Sequence, residues 1–488
     1  MKEKIKGIKS KILKIDNLIV GIFILIAVSV FAFDAIISAN DELWNFSNVY
    51  KMSYGETIYE ACNVIVTPLF FYIGQIIFKI LGANYFSFRI YNLLLYSILY
   101  FLLYRLFKKL TLSKLKAFTY LILIYFFTCT CILIGANYNI LAFIFVIVEI
   151  LYNLDTKEKK SEPLMQGLIM FLVFMSKQNI GLLYILGIII ISILNKTNIK
   201  NIFKQIAVFI LFIGLYLLGL FFNGNLYNFI NYTVLGLLEF GNKNTLVDSY
   251  IIIFIAEIAL LVGIIIYCKK HRENVPVDIR KRIIILNSFS IMMLFNAYPI
   301  FNKAHIILSS IFSFVAIVYF IDSALFKELN NKYINRTMVA LDFISMIIIL
   351  ILGLILNTSY IKNIRNNNFE PYFGGIMINQ NEVQNVANYI MKQKEKNIEV
   401  IIISYKASLY NNILKINNGG FDLPFYGNLG VEGIEGLINK LDMMKNTNVL
   451  ITKDEIKYQE SQELRDYVIN NFEKIGEIEE FYIYKVGY

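Results

Sequence analysis

The chain is poor in the residues from which metal centres, disulfide frameworks and soluble surfaces are made. Its 488 residues include four cysteines, two histidines, six prolines and one tryptophan. Cys62, Cys129, Cys131 and Cys268 follow no framework spacing, and two of them stand inside a hydrophobic run, which argues against a disulfide scaffold or a cysteine-based metal site. His271 and His305 are too few for a histidine-rich centre. Charge is scarce as well: 17% of residues are charged against 57% hydrophobic, and the mean hydropathy is +0.59. A soluble domain has no use for so many long apolar runs, whereas a polytopic membrane protein requires them. The formal charge of +10 would suit a nucleic-acid partner, yet the lysines and arginines fall in short clusters between apolar runs. That is the positive-inside pattern, which calls for no polyanion.

The lysine-rich start MKEKIKGIKSKILKID precedes the apolar run Asn17–Ile37. This run exceeds the roughly 7–15 residues of a signal-peptide core and lacks an A-x-A-like cleavage site, so it reads as a retained anchor. Lysines place the N-terminus in the cytoplasm, and the loop from Asp41 is then external. The run Pro68–Leu81 is short of the roughly 20 residues that span a bilayer and carries Gln75 and Lys79, so it reads as an amphipathic helix in the interface. Counting it as a span would turn RLFKKLTLSKLK and every later basic cluster to the outside. The expectation is a polytopic α-helical membrane protein with about eleven spans, the last being Met338–Leu356. A transmembrane module covers residues 1–360, with its first external loop at 38–87. Residues 361–488 alternate helical stretches with buried-strand patterns (VIIISYKASLY, TNVLITKDE, EEFYIYKVGY) and read as a small extracytoplasmic α/β domain. That tail has no glycine-rich phosphate loop, and its Gly419–Gly420 and Gly427-Asn428 pairs read as turns.

With this topology the reactive groups collect on the external side: Asp41, Glu42, Arg89, Asn137, Tyr138, Asn139, Lys177, Gln178, Lys303 and His305. Polar groups at membrane depth are costly and tend to line functional sites. Lys177 interrupts MFLVFMSKQNIGLLYIL between two runs that are each short for a span, where a buried cation calls for an anionic partner. Each also has a plain structural reading: helix-end solvation for the carboxylates, interfacial anchoring for Arg89, capping for His305.

Residues 40–92 resemble the first loop of membrane-embedded GT-C glycosyltransferases, specifically the protein O-mannosyltransferase (glycosyltransferase family 39) and lipid A aminoarabinose transferase group. The matching elements are Asp41-Glu42 after the first span, Gly55 with Tyr59, Pro68 opening an interfacial helix, and Gly82 with Arg89 opening the next span. The break at Ser176-Lys177-Gln178 resembles a further family feature. The resemblance implies a GT-C-like fold and transfer of a sugar from a polyprenyl-phosphate donor to an acceptor hydroxyl of a lipid, glycan or protein at the external face of the plasma membrane. Asp41 and Glu42 would be the catalytic carboxylates, with Asp41 the base. Arg89, Lys177 and His305 would bind the donor phosphate, and Gln178, Asn137, Tyr138, Asn139 and Tyr59 would line the substrate. Many relatives carry an acidic residue in the second external loop, where this chain has Asn137-Tyr138-Asn139. That departure places in doubt a carboxylate or a metal ligand there. With phosphate charge met by side-chain cations no divalent metal is required, although its use stays open. Two alternatives stand beside the transferase: a transporter or flippase of a lipid-linked precursor, which would favour internal symmetry that the sequence does not display, and a non-catalytic assembly partner.

Overall fold

Among the described residues, the long apolar runs of the first 366 residues are helical. The computed structural model describes residues 2–34, 40–111, 113–154, 162–194, 199–243, 246–247, 249–273, 275–325, 332–366, 379–404, 407–414, 420–421, 429–453 and 461–487. Five helices among the described residues are long and apolar enough to cross a bilayer alone: Tyr85–Thr111, Lys114–Ile134, Ile199–Phe222, Ile251–Lys270 and Arg336–Lys362. Lys303–Ser309 and Ile311–Ser323, bent by 46°, make a sixth if taken together. The runs Asp16–Ala32, Tyr138–Leu154, Pro163–Ser176 and Gln178–Ile193 are shorter helices. The run expected over Ile283–Tyr298 falls on Val277–Leu294 and a following turn of 3-10 helix. The short helices flank polar breaks, so the eleven runs meet a span's length criterion only in part.

Leu69–Leu81 is a separate 13-residue helix, about 20 Å long at 1.5 Å per residue against a hydrocarbon core of about 30 Å. Phe70, Phe71, Gly74 and Phe78 are buried while Ile76, Ile80 and Leu81 are exposed, as an interfacial helix requires. A Cβ at Gly74 would lie 2.8 Å from Val49, so the glycine lets this helix cross close to Asn40–Ser53. Gly82, with φ +94°, ends it, and the Asn84 side chain accepts from Ser87 N–H at 2.9 Å to start Tyr85–Thr111. That short connection sets Arg89 in the second turn of the new helix.

The polar stretch after Ile199–Phe222 is largely helical among the described residues: Leu226–Ile230, a π-turn over Asn231–Gly236, and Leu237–Lys243. Phe229, Thr233 and Gly236 are buried at helical spacing, a pattern masked in the sequence by the intervening asparagines.

The tail forms a four-stranded sheet in the order Glu399–Ile403, Thr447–Thr452, Phe481–Val486, Glu473–Ile478. The first pair is parallel and the others antiparallel. Three of these strands follow the expected pattern. Glu473–Ile478 does not, because as an edge strand it exposes most of its residues and carries no apolar alternation. Of the expected turns, Gly420 has φ +99°, while Gly427-Asn428 lies outside the described residues. Two hydrogen bonds tie the tail to the membrane module: Asn63 Nδ2 donates to Gly420 O at 2.7 Å, and Val431 N donates to Asn231 Oδ1 at 2.8 Å.

The topology read from the basic clusters makes a direct prediction. A cysteine introduced at the exposed Lys394 should react with a membrane-impermeant maleimide in intact cells, and one at the exposed Lys269 should react only after permeabilisation. The native cysteines are all buried and should give little background. Labelling of Lys269→Cys in intact cells would invert the assignment.

Candidate active site

Asn40–Ser53 begins with the two acidic residues in its first turn, where the helix dipole favours negative charge. Neighbours on a helix point about 100° apart, so the two carboxylates serve different surroundings. Glu42 turns inward. It is fully buried, and its Oε1 lies 3.0 Å from Nη1 of Arg89, which is also fully buried. Above the pair sits Gly135, with φ +85°; a Cβ there would come within 2.8 Å of Glu42 Cγ. The glycine is thus doubly required, for its backbone conformation and for the space that Glu42 occupies.

Asp41 faces the other way. It is half-buried, and its carboxylate acts electrostatically on Lys177 and Tyr138. Lys177 stands alone between the helices Glu162–Ser176 and Gln178–Leu194. Its Nζ donates to Asn139 Oδ1 at 2.7 Å and to Asn296 Oδ1 at 3.0 Å, and lies 5.4 Å from the centre of the Tyr138 ring. Burial lowers the Lys177 pKa to about 7, opposed by the Asp41 carboxylate, which favours the charged form. Two amide oxygens orient the ammonium without neutralising it. His305 lies within electrostatic reach of Lys177, and its ring Nδ1 is 2.8 Å from Asn302 Oδ1.

The loop that holds Asn137 is fixed from several sides. Asn137 Oδ1 accepts from both the backbone N and the Nδ2 of Asn139, each at 2.7 Å. Asn45 Nδ2 donates to Ala136 O at 3.2 Å, Asn92 Nδ2 to Ile132 O at 2.9 Å, and the Tyr96 hydroxyl to Cys131 O at 2.7 Å.

The structure therefore sorts the expected residues into two groups. Asp41, Tyr138, Asn139, Lys177 and His305 lie within contact or electrostatic reach of one another. Glu42 and Arg89 form a separate, fully buried ion pair. Asn137 acts within the loop, on Asn139. Gln178 is buried and held on backbone: its Nε2 donates to Ile65 O at 2.6 Å and Thr233 O at 3.1 Å, while its Oε1 accepts from Thr67 N at 3.1 Å. Tyr59 is buried too, donating to Val66 O at 2.9 Å and packing on Phe229. Both brace the stretch 59–67 through buried hydrogen bonds. Asn296 was not singled out in the sequence, where one amide in NAYPIFNKAH carries no distinguishing signal. Among the described residues no three His, Cys, Asp or Glu side chains are grouped as metal ligands.

Residues 66–218 match the dolichyl-phosphate-mannose-protein mannosyltransferase family, a stretch that holds Arg89, the Asn137–Asn139 loop and Lys177. No curated protein sequence matches the chain. Among solved structures it is similar to ArnT from Cupriavidus metallidurans bound to undecaprenyl phosphate, with a TM-score of 0.53 over 96% of this chain and 97% of that one. The apo state of the same protein gives 0.56 over 98% of both chains. The fold is that of ArnT. Identity is 8% in each case, so architecture is what the two chains share. The GT-C resemblance carried by residues 40–92 agrees with the family match, which begins within that stretch, and with the ArnT-like fold.

Breaking the buried pair from one side should be costly. Glu42→Gln strands the Arg89 guanidinium, and a loss of about 3–5 kcal/mol is expected. Thermal unfolding of the detergent-solubilised protein should show a marked drop for Glu42→Gln, substantial recovery in Glu42→Leu/Arg89→Met, and little change for Asp41→Asn. Equal melting of Glu42→Gln and the parent would remove the pair from the stability of the site.

Proposed function

We propose that the chain is an integral membrane glycosyltransferase that moves a sugar from a polyprenyl-phosphate donor to an acceptor hydroxyl on the external membrane face. The observation that carries this reading is that the Asp41 carboxylate acts on the buried Lys177 ammonium, which is held by two neutral amides, within an ArnT-like fold. The matching family is described as using dolichyl-phosphate-mannose, and the ArnT structure holds undecaprenyl phosphate; both bear on the donor class proposed here.

In this mechanism Asp41 takes the proton of the acceptor hydroxyl as its oxygen attacks the anomeric carbon. The bond from that carbon to the phosphate oxygen breaks in the same step, with inversion. The charge left on the polyprenyl phosphate is met by the Lys177 ammonium, already oriented by Asn139 and Asn296 before the donor arrives. His305 would support the phosphate or sugar from the neighbouring helix. Glu42 and Arg89 hold the helix that presents Asp41 in place. The proton and the charge each have a destination among side chains, so the step does not require a divalent metal.

The decisive comparison is transfer of labelled sugar in membranes holding equal amounts of parent and Asp41→Asn. Transfer should fall by at least about 10²-fold, the lower range for loss of a general base. Equal transfer would remove Asp41 from the chemistry, and movement of the intact donor across the bilayer without transfer would favour a transporter.

The Lys177 titration adds a second expectation. An anionic polyprenyl phosphate binds the protonated amine, so affinity should be full at acid pH and begin to fall as pH rises through about 7. Asp41→Asn removes the charge that supports the ammonium, so the fall should begin at lower pH. Binding of the lipid phosphate measured across pH for both proteins checks this, and a profile unchanged by Lys177→Met would refute it.

A further inference from the structure

A second polar site lies at the joint between the tail and the membrane module. A cavity of roughly 240 Å³ opens there, with Glu60, Asn63 and Tyr232 on the membrane side and Glu432 and Lys440 on the tail side. Its two walls are joined by the hydrogen bonds Asn63–Gly420 and Asn231–Val431, so the cleft is part of a fixed joint. At Gly430, φ +70°, a Cβ would lie 2.6 Å from the Asn231 amide, so the approach of the walls itself depends on a glycine. Gly420, Gly433 and Gly436 leave the tail-side wall without side chains of its own at those points. The cleft is also tied mechanically to Lys177. The loop that supplies Glu60 and Asn63 continues to Ile65 and Thr67, which are gripped by Gln178, next in the chain to Lys177.

We propose that this cleft binds a sugar residue, neutral or amino-substituted, belonging to the acceptor. Carboxylates and an amide are suited to accept from and donate to vicinal hydroxyls, and the Tyr232 ring offers a face to the apolar side of a pyranose. Glu60 and Glu432 in the lining are matched by Lys440 there and by Lys51, which donates to Ala61 O and acts on Tyr232, so the cleft holds no excess cation for a phosphate and its polar groups suit hydroxyls. The word acceptor rests on the transferase reading, whereas sugar binding by the cleft does not.

The test uses the full chain in a detergent without a sugar headgroup. Saturation-transfer NMR is recorded with glucose, N-acetylglucosamine and glucosamine as probes, and inorganic phosphate as competitor. At least one sugar should bind, phosphate should not displace it, and Glu60→Gln/Glu432→Gln and Tyr232→Ala should each weaken it about tenfold, as loss of one or two hydrogen bonds or a stacking face would. Lys177→Met should leave sugar binding intact, which separates the cleft from the Lys177 site. No binding of any probe, binding unchanged in both cleft variants, or displacement by phosphate would each overturn the proposal. Sugar binding at the cleft in a protein that transfers no sugar would uphold the binding site and remove only its assignment to an acceptor.

Discussion

The ion pair of Glu42 and Arg89 fixes the rest of the site. Both side chains are fully buried, at 3.0 Å, inside a helical bundle, where removing one takes away the other's facing charge. The pair joins the first turn of Asn40–Ser53 to the second turn of Tyr85–Thr111, and its upper side is closed by Gly135 of the loop that holds Asn137. Three segments that are separate in sequence are thereby held in one register. With the inward carboxylate committed, helix geometry alone directs the adjacent Asp41 toward Lys177. The acidic dipeptide thus places one carboxylate against Arg89 and the other toward Lys177, set apart by a single step of the helix.

Lys177 shows how the fold keeps a cation usable. A buried ammonium in contact with a carboxylate would be neutralised and unavailable, and one surrounded only by apolar groups would lose its proton. Here Asn139 and Asn296 supply amide oxygens at 2.7 and 3.0 Å, which orient the group, while Asp41 supports the charge from beyond the first contacts. The result is a pKa near 7, poised so that an arriving anion tips the amine fully to its charged form. The break between Glu162–Ser176 and Gln178–Leu194 is what brings Lys177 to this place, and Gln178 secures the break by binding the backbone of two other segments. A continuous helix through residue 177 would have pointed the lysine into lipid or against a neighbour.

Hydropathy was sufficient to mark the long apolar helices, because each is long enough for its composition to speak, but not the short helices of residues 226–243. The α/β tail was readable for the same reason, apart from its exposed edge strand. Within the site, Asp41, Lys177 and His305 stood out as charged or titratable groups where such groups are costly. What the linear pattern does not contain is direction. Nothing in Asp41-Glu42 says which carboxylate turns inward, and nothing in an isolated arginine says that its partner lies 47 positions earlier. Tyr59 and Gln178 carry the right chemistry for substrate contact, yet the backbone groups they brace become visible only in three dimensions. Asn296 and Gly135 matter through what they lie beside, and their types alone give no warning of it.

The same constraint extends to the tail. A domain joined through a long helix, Lys332–Asn366, could move freely over the membrane face unless short-range contacts held it. Asn63 and Asn231 provide those contacts, and both come from segments braced against the catalytic half: Asn63 from the loop gripped by Gln178, and Asn231 from the π-turn whose Thr233 carbonyl accepts from the same side chain. Gln178 is therefore the point where the lysine break, the stretch 59–67 and the footing of the tail meet. Displacing any one of the three strains the other two through a single buried amide. A ligand that bridged the tail and that stretch would act on Lys177 through this contact, by stabilising the arrangement in which all three are engaged.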